Sequence, residues 1–440
     1  MRVSGCWRFG RLLMVPLVWL ALAPAGRAEI AAPPPMWGLD DTPAGNATDL
    51  ATERFEAGAE ALRRGDLDTA QQAFMDSREA NPRMPQPLVG LADIEQRRGR
   101  AQHAQKLLDQ ALELAPGDAA VLTARAAFHI RRQDYGAAET ELKTAIEANP
   151  KDLRAHLALA DLYGNLAGRP TDAAAAWRAS IAIDPVNAPA HHGLGLALAA
   201  TGQFQAAEEE LKRSAALAPT SPVSLHALAR LQLRQGQVDA GTQSLDAALK
   251  IEPGFVPALV DKGDVMLASG KSDEALAIYE RAVAADTASA VAQFKRGAAL
   301  QVLGRTKDAT GAYLAALEID PQLAPALNNL AWLAIGSGDD LNLAAARAAK
   351  AVELVPDNAG FRDTLGWVYR AQRRWSEAET VLEKAASMPP RMASVQYHLA
   401  MVYLDQKKTD MARKALAEAL AIDPKHADSK ATLNKLSSSS

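Results

Sequence analysis

Two tryptophans and a tyrosine near the C-terminal end are the residue types best suited to binding chemistry in this chain. Trp332 lies in ALNNLAWLA (326–334), Trp367 lies in RDTLGWVY (362–369), and Tyr397 follows them. Large rings supply apolar contact area. The neighbouring Asn328, Asn329, Asp363 and Arg370 supply orienting polar groups, and Met401 adds an adaptable apolar contact. Brought onto one surface, this set suits a groove for a peptide or a sugar. Packed between helices, the same two indoles would be core, and both arrangements are open at this point. A second group is His156, His191, His192 and His226, for which a metal would need a third ligand, with Asp161 the nearest candidate. Exposed or half-buried polar side chains account for these histidines more simply, so no metal is assigned. The chain has no Gly-rich phosphate loop, no G-x-S-x-G elbow, no H-E-x-x-H and no cysteine nucleophile. We therefore expect a non-enzyme with no catalytic residue and no cofactor.

The elements that must position these side chains follow from a repeat. Pro82, Pro116, Pro150, Pro185, Pro219, Pro253, Pro321, Pro356, Pro390 and Pro424 recur at steps of 34 or 35, with one double step where Thr287 stands in the proline's place. Two steps of 35 put single insertions near Gly168 and Gly338. Counting units from residue 51, position 8 is Gly or Ala throughout, as at Gly58, Ala92, Gly263 and Ala400. Position 24 is large in every unit but one, as at Phe74, Trp177, Tyr279 and Leu416. Two antiparallel helices approach closely only where small side chains face each other, and large ones then fill the space beside the contact. Gly65, Gly99, Gly202 and their equivalents at position 15 supply the turn that ends each first helix. Each proline near position 32 stops the second helix, because it lacks an N–H and biases its predecessor away from helical angles.

A 34-residue helical period with this small-residue pattern resembles the tetratricopeptide repeat (TPR) family over residues 51–426. The resemblance implies an all-α, right-handed superhelical solenoid of eleven TPR helical hairpins. Their expected bounds are 51–84, 85–118, 119–152, 153–187, 188–221, 222–255, 256–289, 290–323, 324–358, 359–392 and 393–426. Residues 427–440 read as a C-terminal capping helix and tail that cover the open end. In the family the first helices line a concave groove. Carried over by position, that groove holds Phe55, Asp93, Arg97, Arg131, Asp161, His192, His226, Arg230, Arg234 and Phe294 in its earlier part. In its last three units it holds Asn328, Asn329, Trp332, Asp363, Trp367, Arg370, Tyr397 and Met401, where rings at equal positions of adjacent units form a ladder. The Lys and Asn pair of the chaperone-type carboxylate clamp is absent from every unit. ALNNLAWLA and RDTLGWVY also resemble the C-terminal repeats of exported bacterial TPR proteins, some of which serve exopolysaccharide export or cell-surface assembly.

The N-terminal end reads as an address. Arg2, Arg8 and Arg11 precede an apolar run from Leu12 to Ala23, and Gly26-Arg27-Ala28 forms a small-residue cleavage site, so residues 1–28 are an expected signal peptide. Residues 29–50, rich in Pro, Gly and Asp, are an expected flexible leader. The single cysteine, Cys6, falls inside the signal segment. Removing residues 1–28 takes away four Arg and no acids, moving the formal charge from −4 to −8. A mildly acidic surface points away from nucleic acid as partner. These features together suggest an exported, periplasmic bacterial scaffold for protein partners, in envelope assembly or exopolysaccharide export. The alternative is a glycan- or peptide-binding module that uses the C-terminal aromatic groove. Membrane contact would come only through an uncleaved signal segment.

Overall fold

A computed structural model describes residues 46–166, 168–337 and 340–438. The expected signal peptide, the leader up to residue 45 and Gly338 lie outside the described residues. Helix formation starts earlier than the sequence suggested. Helix α1 (Asn46–Arg63) takes in the last residues of the expected leader, with Asp49 in its first turn, where a carboxylate favours the helix N-terminus.

The described residues up to Ile251 form one unit. After α1 come α2 (Leu67–Ala80), α3 (Gln86–Arg97), α4 (Ala101–Leu114), α5 (Ala119–Arg131) and α6 (Tyr135–Ala148). They are followed by α7 (Leu153–Asp161), α8 (Pro170–Ile183), α9 (Ala188–Ala200), α10 (Phe204–Leu217), α11 (Val223–Arg234) and α12 (Val238–Ile251). The residues from Glu252 form a second unit. It contains α13 (Val256–Ala268), α14 (Ser272–Ala285), α15 (Ala290–Val302), α16 (Thr306–Ile319), α17 (Ala324–Ser337) and α18 (Leu341–Leu354). It ends with α19 (Ala359–Ala371), α20 (Trp375–Ser387), α21 (Ala393–Asp405), α22 (Thr409–Ile422) and α23 (Ala427–Ser438). No strand occurs among the described residues.

Within each unit, odd-numbered helices pack against the even-numbered helix that follows, as antiparallel hairpins. The small-to-large pairing has a direct cause. A Cβ added at Gly263 would stand 2.3 Å from the Tyr279 ring, and one at Gly297 would stand 2.6 Å from Tyr313. Gly58 is held in the same way by Phe74, at 2.7 Å. In these three hairpins the aromatic ring on the second helix leaves room only for glycine on the first. Asp66, Asp118, Asp134, Asp152, Asn187 and Asn358 cap their helices by accepting backbone N–H bonds, which explains why polar residues stand at so many entries. Position 15 adopts positive φ at Gly65, Gly99, Gly202, Gly236, Gly270 and Gly304, and also at Gln133 (63°), Arg373 (62°) and Lys407 (63°), where no glycine is present.

The insertion expected near Gly168 is accommodated inside the first helix. Residues Leu162–Leu166 continue α7 as a π-helical turn, which absorbs one residue without opening the hairpin. At the other end, α23 lays Leu433 and Leu436 on the core formed by α20, α21 and α22, as a cap must.

First helices also touch one another, as in α3 with α5, α5 with α7 and α9 with α11 in the first unit, and α17 with α19 and α19 with α21 in the second. Successive second helices make no contact of that extent among the described residues. Each stack therefore curves with its first helices on the inner, concave side.

Candidate partner-binding wall

Helices α17, α19 and α21 present the aromatic side chains. Trp332, Trp367 and Tyr397 are all half-buried, neither sealed in the core nor free in solvent. The rings do not simply form a ladder of equal positions. His398, one residue after Tyr397, is the hub. Its imidazole stacks on Trp367 at 4.0 Å and 25°, meets Trp332 at 6.0 Å, and lies 5.8 Å from Tyr397. His398 Nδ1 sits 2.9 Å from both carboxylate oxygens of Asp363, which is buried beneath it. Sequence reasoning missed His398 because it weighed only histidines clustered in the earlier units. The available signal was an Asp at position 5 of one unit and a His at position 6 of the next.

Arg370 covers Trp367, with its guanidinium carbon 4.5 Å from the ring centre, while Nε reaches Asp405 Oδ2 at 2.6 Å. Tyr397 extends the strip toward His426, ring to ring at 5.6 Å, and burial pushes its phenol up from the usual range. Met401 lies half-buried one turn beyond Tyr397 on α21. Thus Trp332, Asp363, Trp367 and Tyr397 come together around one imidazole, with Arg370 covering Trp367.

Asn328 and Asn329 belong to a second network. Asn328 Nδ2 donates to Asn329 Oδ1 at 3.2 Å, and Asn329 Nδ2 donates to the Tyr313 hydroxyl at 3.0 Å. That hydroxyl in turn donates to Gln301 Oε1 at 2.7 Å. Tyr313, itself fully buried, reaches this position from α16 by lying over Gly297, so the same packing places a hydroxyl beneath the wall. Asn328 Oδ1 is buried with no hydrogen-bond partner, at the free end of the chain of bonds. Spaced four residues from Trp332, it shares a helix face with that ring.

The wall of the first unit is different. Asp93 accepts from Arg97 at 3.1 Å and from Arg131 at 3.0 Å, and Arg131 also bonds Gln96 at 2.8 Å. Arg234 is turned back to the Ala199 carbonyl and over Phe204. Phe55, expected in the groove, is 2% exposed and packs on Phe74, because the first hairpin needs its ring as core. In the second unit, Phe294 likewise leans on Tyr313 at 5.6 Å.

The histidines are placed by in-chain partners. His156 Nε2 meets the Pro150 carbonyl at 3.1 Å, and His191 Nδ1 meets Glu210 at 2.6 Å. His192 Nδ1 is 3.0 Å from Ser224 Oγ, and burial, then the charge of His226, hold its pKa below the usual value. Asp161 is pushed up to about 6 by burial, although its side chain still meets solvent. No group of three or more His, Cys, Asp and Glu with a metal-holding arrangement occurs among the described residues. Trp177 is buried over Gly193, as expected of a packing residue. Trp375 is 39% exposed at the start of α20. No helix among the described residues is long and apolar enough to cross a membrane.

Comparison with known proteins agrees with this architecture. Tetratricopeptide repeat profiles match residues 61–128, and 123–164 with 364–427, and a tetratricopeptide repeat-like domain profile matches 193–296. Cellulose synthase operon protein C of Xanthomonas axonopodis pv. citri (strain 306) is 32% identical over 161 residues, or 34% of this chain. The match spans 10% of that protein's length. Among solved structures, the APC/C hetero-tetramer Cut9-Hcn1 aligns over 88% of this chain and 96% of its own, with 15% identity and a TM-score of 0.50. A tetratricopeptide repeat protein from Parabacteroides merdae ATCC 43184 aligns over 58% of this chain and 100% of its own, with 18% identity and a TM-score of 0.43. At these identities the structural likeness concerns the fold alone.

Proposed function

The chain belongs to the tetratricopeptide repeat family, and from that premise we propose that it is a periplasmic scaffold holding a protein partner against the wall of α17, α19 and α21. Tetratricopeptide repeats are protein–protein interaction scaffolds and are generally non-catalytic. The carrying observation is the set of half-exposed rings, Trp332, Trp367 and Tyr397, organised around His398 on the concave side. Rigid aromatic anchors in a partly desolvated setting are where binding energy concentrates. Export rests on the signal-like first 28 residues. A role in envelope assembly or exopolysaccharide export is supported by that address and by the name of the partial relative, drawn from a cellulose synthase operon.

A polypeptide partner is better supported than a glycan. Stacking on a sugar needs a free ring face, and Trp367 is already engaged by the His398 imidazole and the Arg370 guanidinium. The test is retrieval of partners from envelope extract by the purified chain. Capture that depends on Trp332 and Trp367 supports the reading. A captured set unchanged by Trp332→Ala with Trp367→Ala would remove the wall from it.

A further inference from the structure

Position 7 of the first helix is a buried leucine in most hairpins, Leu91, Leu159, Leu194, Leu330 and Leu365 among them. In α15 the residue there is Arg296. It stands two residues after Phe294, a turn of roughly 200° at about 3.6 residues per turn, which carries it away from the concave side. Two equivalent residues show where position 7 looks. Leu159 lines an outer groove of about 360 Å³ with Ile146 on α6 and Ala175, Ala176 and Ala179 on α8. Arg125 on α5 meets Asp109 on α4 at 3.5 Å and Glu141 on α6 at 3.3 Å. By the same register Arg296 faces the groove between α14 and α16, whose walls carry Val283, Gly311, Ala312 and Ala315. All of these elements lie in the second unit.

What Arg296 lacks is a counter-charge. Ala312, buried, stands where Arg125 has Glu141. Glu280, exposed, stands where Arg125 has Asp109, and it makes no ion pair among the described residues. Only Nη1 of the Arg296 guanidinium is used, donating to Gln293 Oε1 at 3.2 Å, while Nε is buried with no partner. A half-buried guanidinium in this state is costly, and the leucine of the other hairpins would avoid the cost. Its unused fork of N–H donors matches a planar carboxylate. A phosphate group, with more than one charge, fits less well, because Glu280 borders the same groove and repels it more strongly.

We propose that the outer groove between α14 and α16 binds an acidic segment of a protein partner, an Asp or Glu carboxylate of that segment pairing with the Arg296 guanidinium. Gly311, with nothing within 4 Å of where a Cβ would stand, leaves room for the partner's backbone. Val283, half-buried, adds apolar contact. This surface is separate from the aromatic wall, so the chain can hold one segment on the concave side and another on the outer side.

The experiment follows arginine Nε–Hε signals in the full chain by NMR, with the Arg296 signal identified by its absence from Arg296→Leu. The probes are a short peptide alternating Glu and Ala, its Gln-for-Glu counterpart, and inorganic phosphate. We expect saturable movement of the Arg296 signal with the Glu peptide alone, while that of Arg125, already paired, stays still. Arg296→Leu should weaken the peptide at least about tenfold and raise the urea midpoint, because an unpaired buried charge is replaced by apolar packing. Trp332→Ala with Trp367→Ala should leave peptide binding unchanged, which keeps this test apart from that of the wall. An Arg296 signal moved by phosphate but not by the Glu peptide overturns the proposal. So does a signal that Glu280→Gln moves and the peptide does not, because Glu280 is then the counter-ion. A lowered urea midpoint in Arg296→Leu with unchanged peptide affinity marks the residue as structural and overturns it too.

Discussion

The concave faces of the two units use the same helix geometry for opposite purposes. On the first, Asp93, Arg97, Arg131 and Gln96 bond to one another across α3 and α5, so the polar groups are spent on the wall itself. On the second, ion pairs also close within the chain, but they frame rings that remain half-exposed. Exposed ion pairs contribute little and are easily replaced by water, whereas unfilled aromatic surface is a standing source of binding energy. The lesson is that charge on a repeat wall does not by itself mark the site. A wall whose rings remain half-exposed is the better candidate.

The sharpest way to break this contrast is to remove a ring from one wall and a charge from the other. Trp367→Ala should weaken partner binding by about 2 kcal/mol or more, roughly 30-fold, as expected for a central aromatic anchor. Arg131→Ala should change it less than about twofold, because the Arg131–Asp93 pair is exposed. Both are read from binding isotherms with the captured partner, and equal losses would erase the distinction between the walls. Next in size is the packing that holds the second wall. Gly263→Ala places a methyl 2.3 Å from the buried Tyr279 ring and should cost about 1–3 kcal/mol of stability in urea unfolding. Gly117→Ala, with nothing within 4 Å, should cost far less.

Much of this was legible in the sequence, for a physical reason. A hairpin repeat is specified by short-range rules, and Gly58 with Phe74, Gly263 with Tyr279 and Gly297 with Tyr313 announce their contacts by residue size alone. The choice of Trp332, Asp363, Trp367, Arg370 and Tyr397 also followed from period positions, and these side chains do gather. Their organisation was not legible. His398 bridges α17 and α19 from α21, and nothing in a single unit reveals which ring will reach across two neighbours. The π-turn at Leu162–Leu166 was visible as one extra residue but not as the place where the helix stores it. Phe55 was misplaced because its ring packs on Phe74 as core of the first hairpin.

The first wall carries a different sensitivity, which a pH series should expose. His192 has a folded pKa below its unfolded value, so the native state binds fewer protons and stability falls as pH drops through about 6.5 and below. Asp161 has a folded pKa raised to about 6, so the native state holds a proton that the unfolded state releases, and stability falls as pH rises from about 4 to 6. The opposed slopes partly cancel in the wild type. His192→Asn should leave stability falling with rising pH, and Asp161→Asn should leave it falling with acidification. Solvent contact at Asp161 tempers its slope. Urea midpoints at several pH values, with exchange followed in α7 to α11, decide it. Parallel profiles for the two variants would show that neither group titrates differently on folding.

The smallest expected effect lies at the turns, and it asks whether the two units are built to the same tolerance. Gln133 in the first unit, and Arg373 and Lys407 in the second, hold φ of 62–63° with exposed side chains, where the equivalent residues elsewhere are glycine. A side chain in this region costs about 1–2 kcal/mol. Glycine relieves that strain but gives back roughly 0.5–1 kcal/mol through the greater freedom of the unfolded chain. Each of Gln133→Gly, Arg373→Gly and Lys407→Gly should therefore raise stability by about 0.5 kcal/mol. Because none of the three side chains is buried, the gain should be the same in both units. A gain at Gln133 with a loss at Arg373 would mean that the turn beside the aromatic wall is held by contacts its side chain makes, and the wall would then begin one turn later than Arg370.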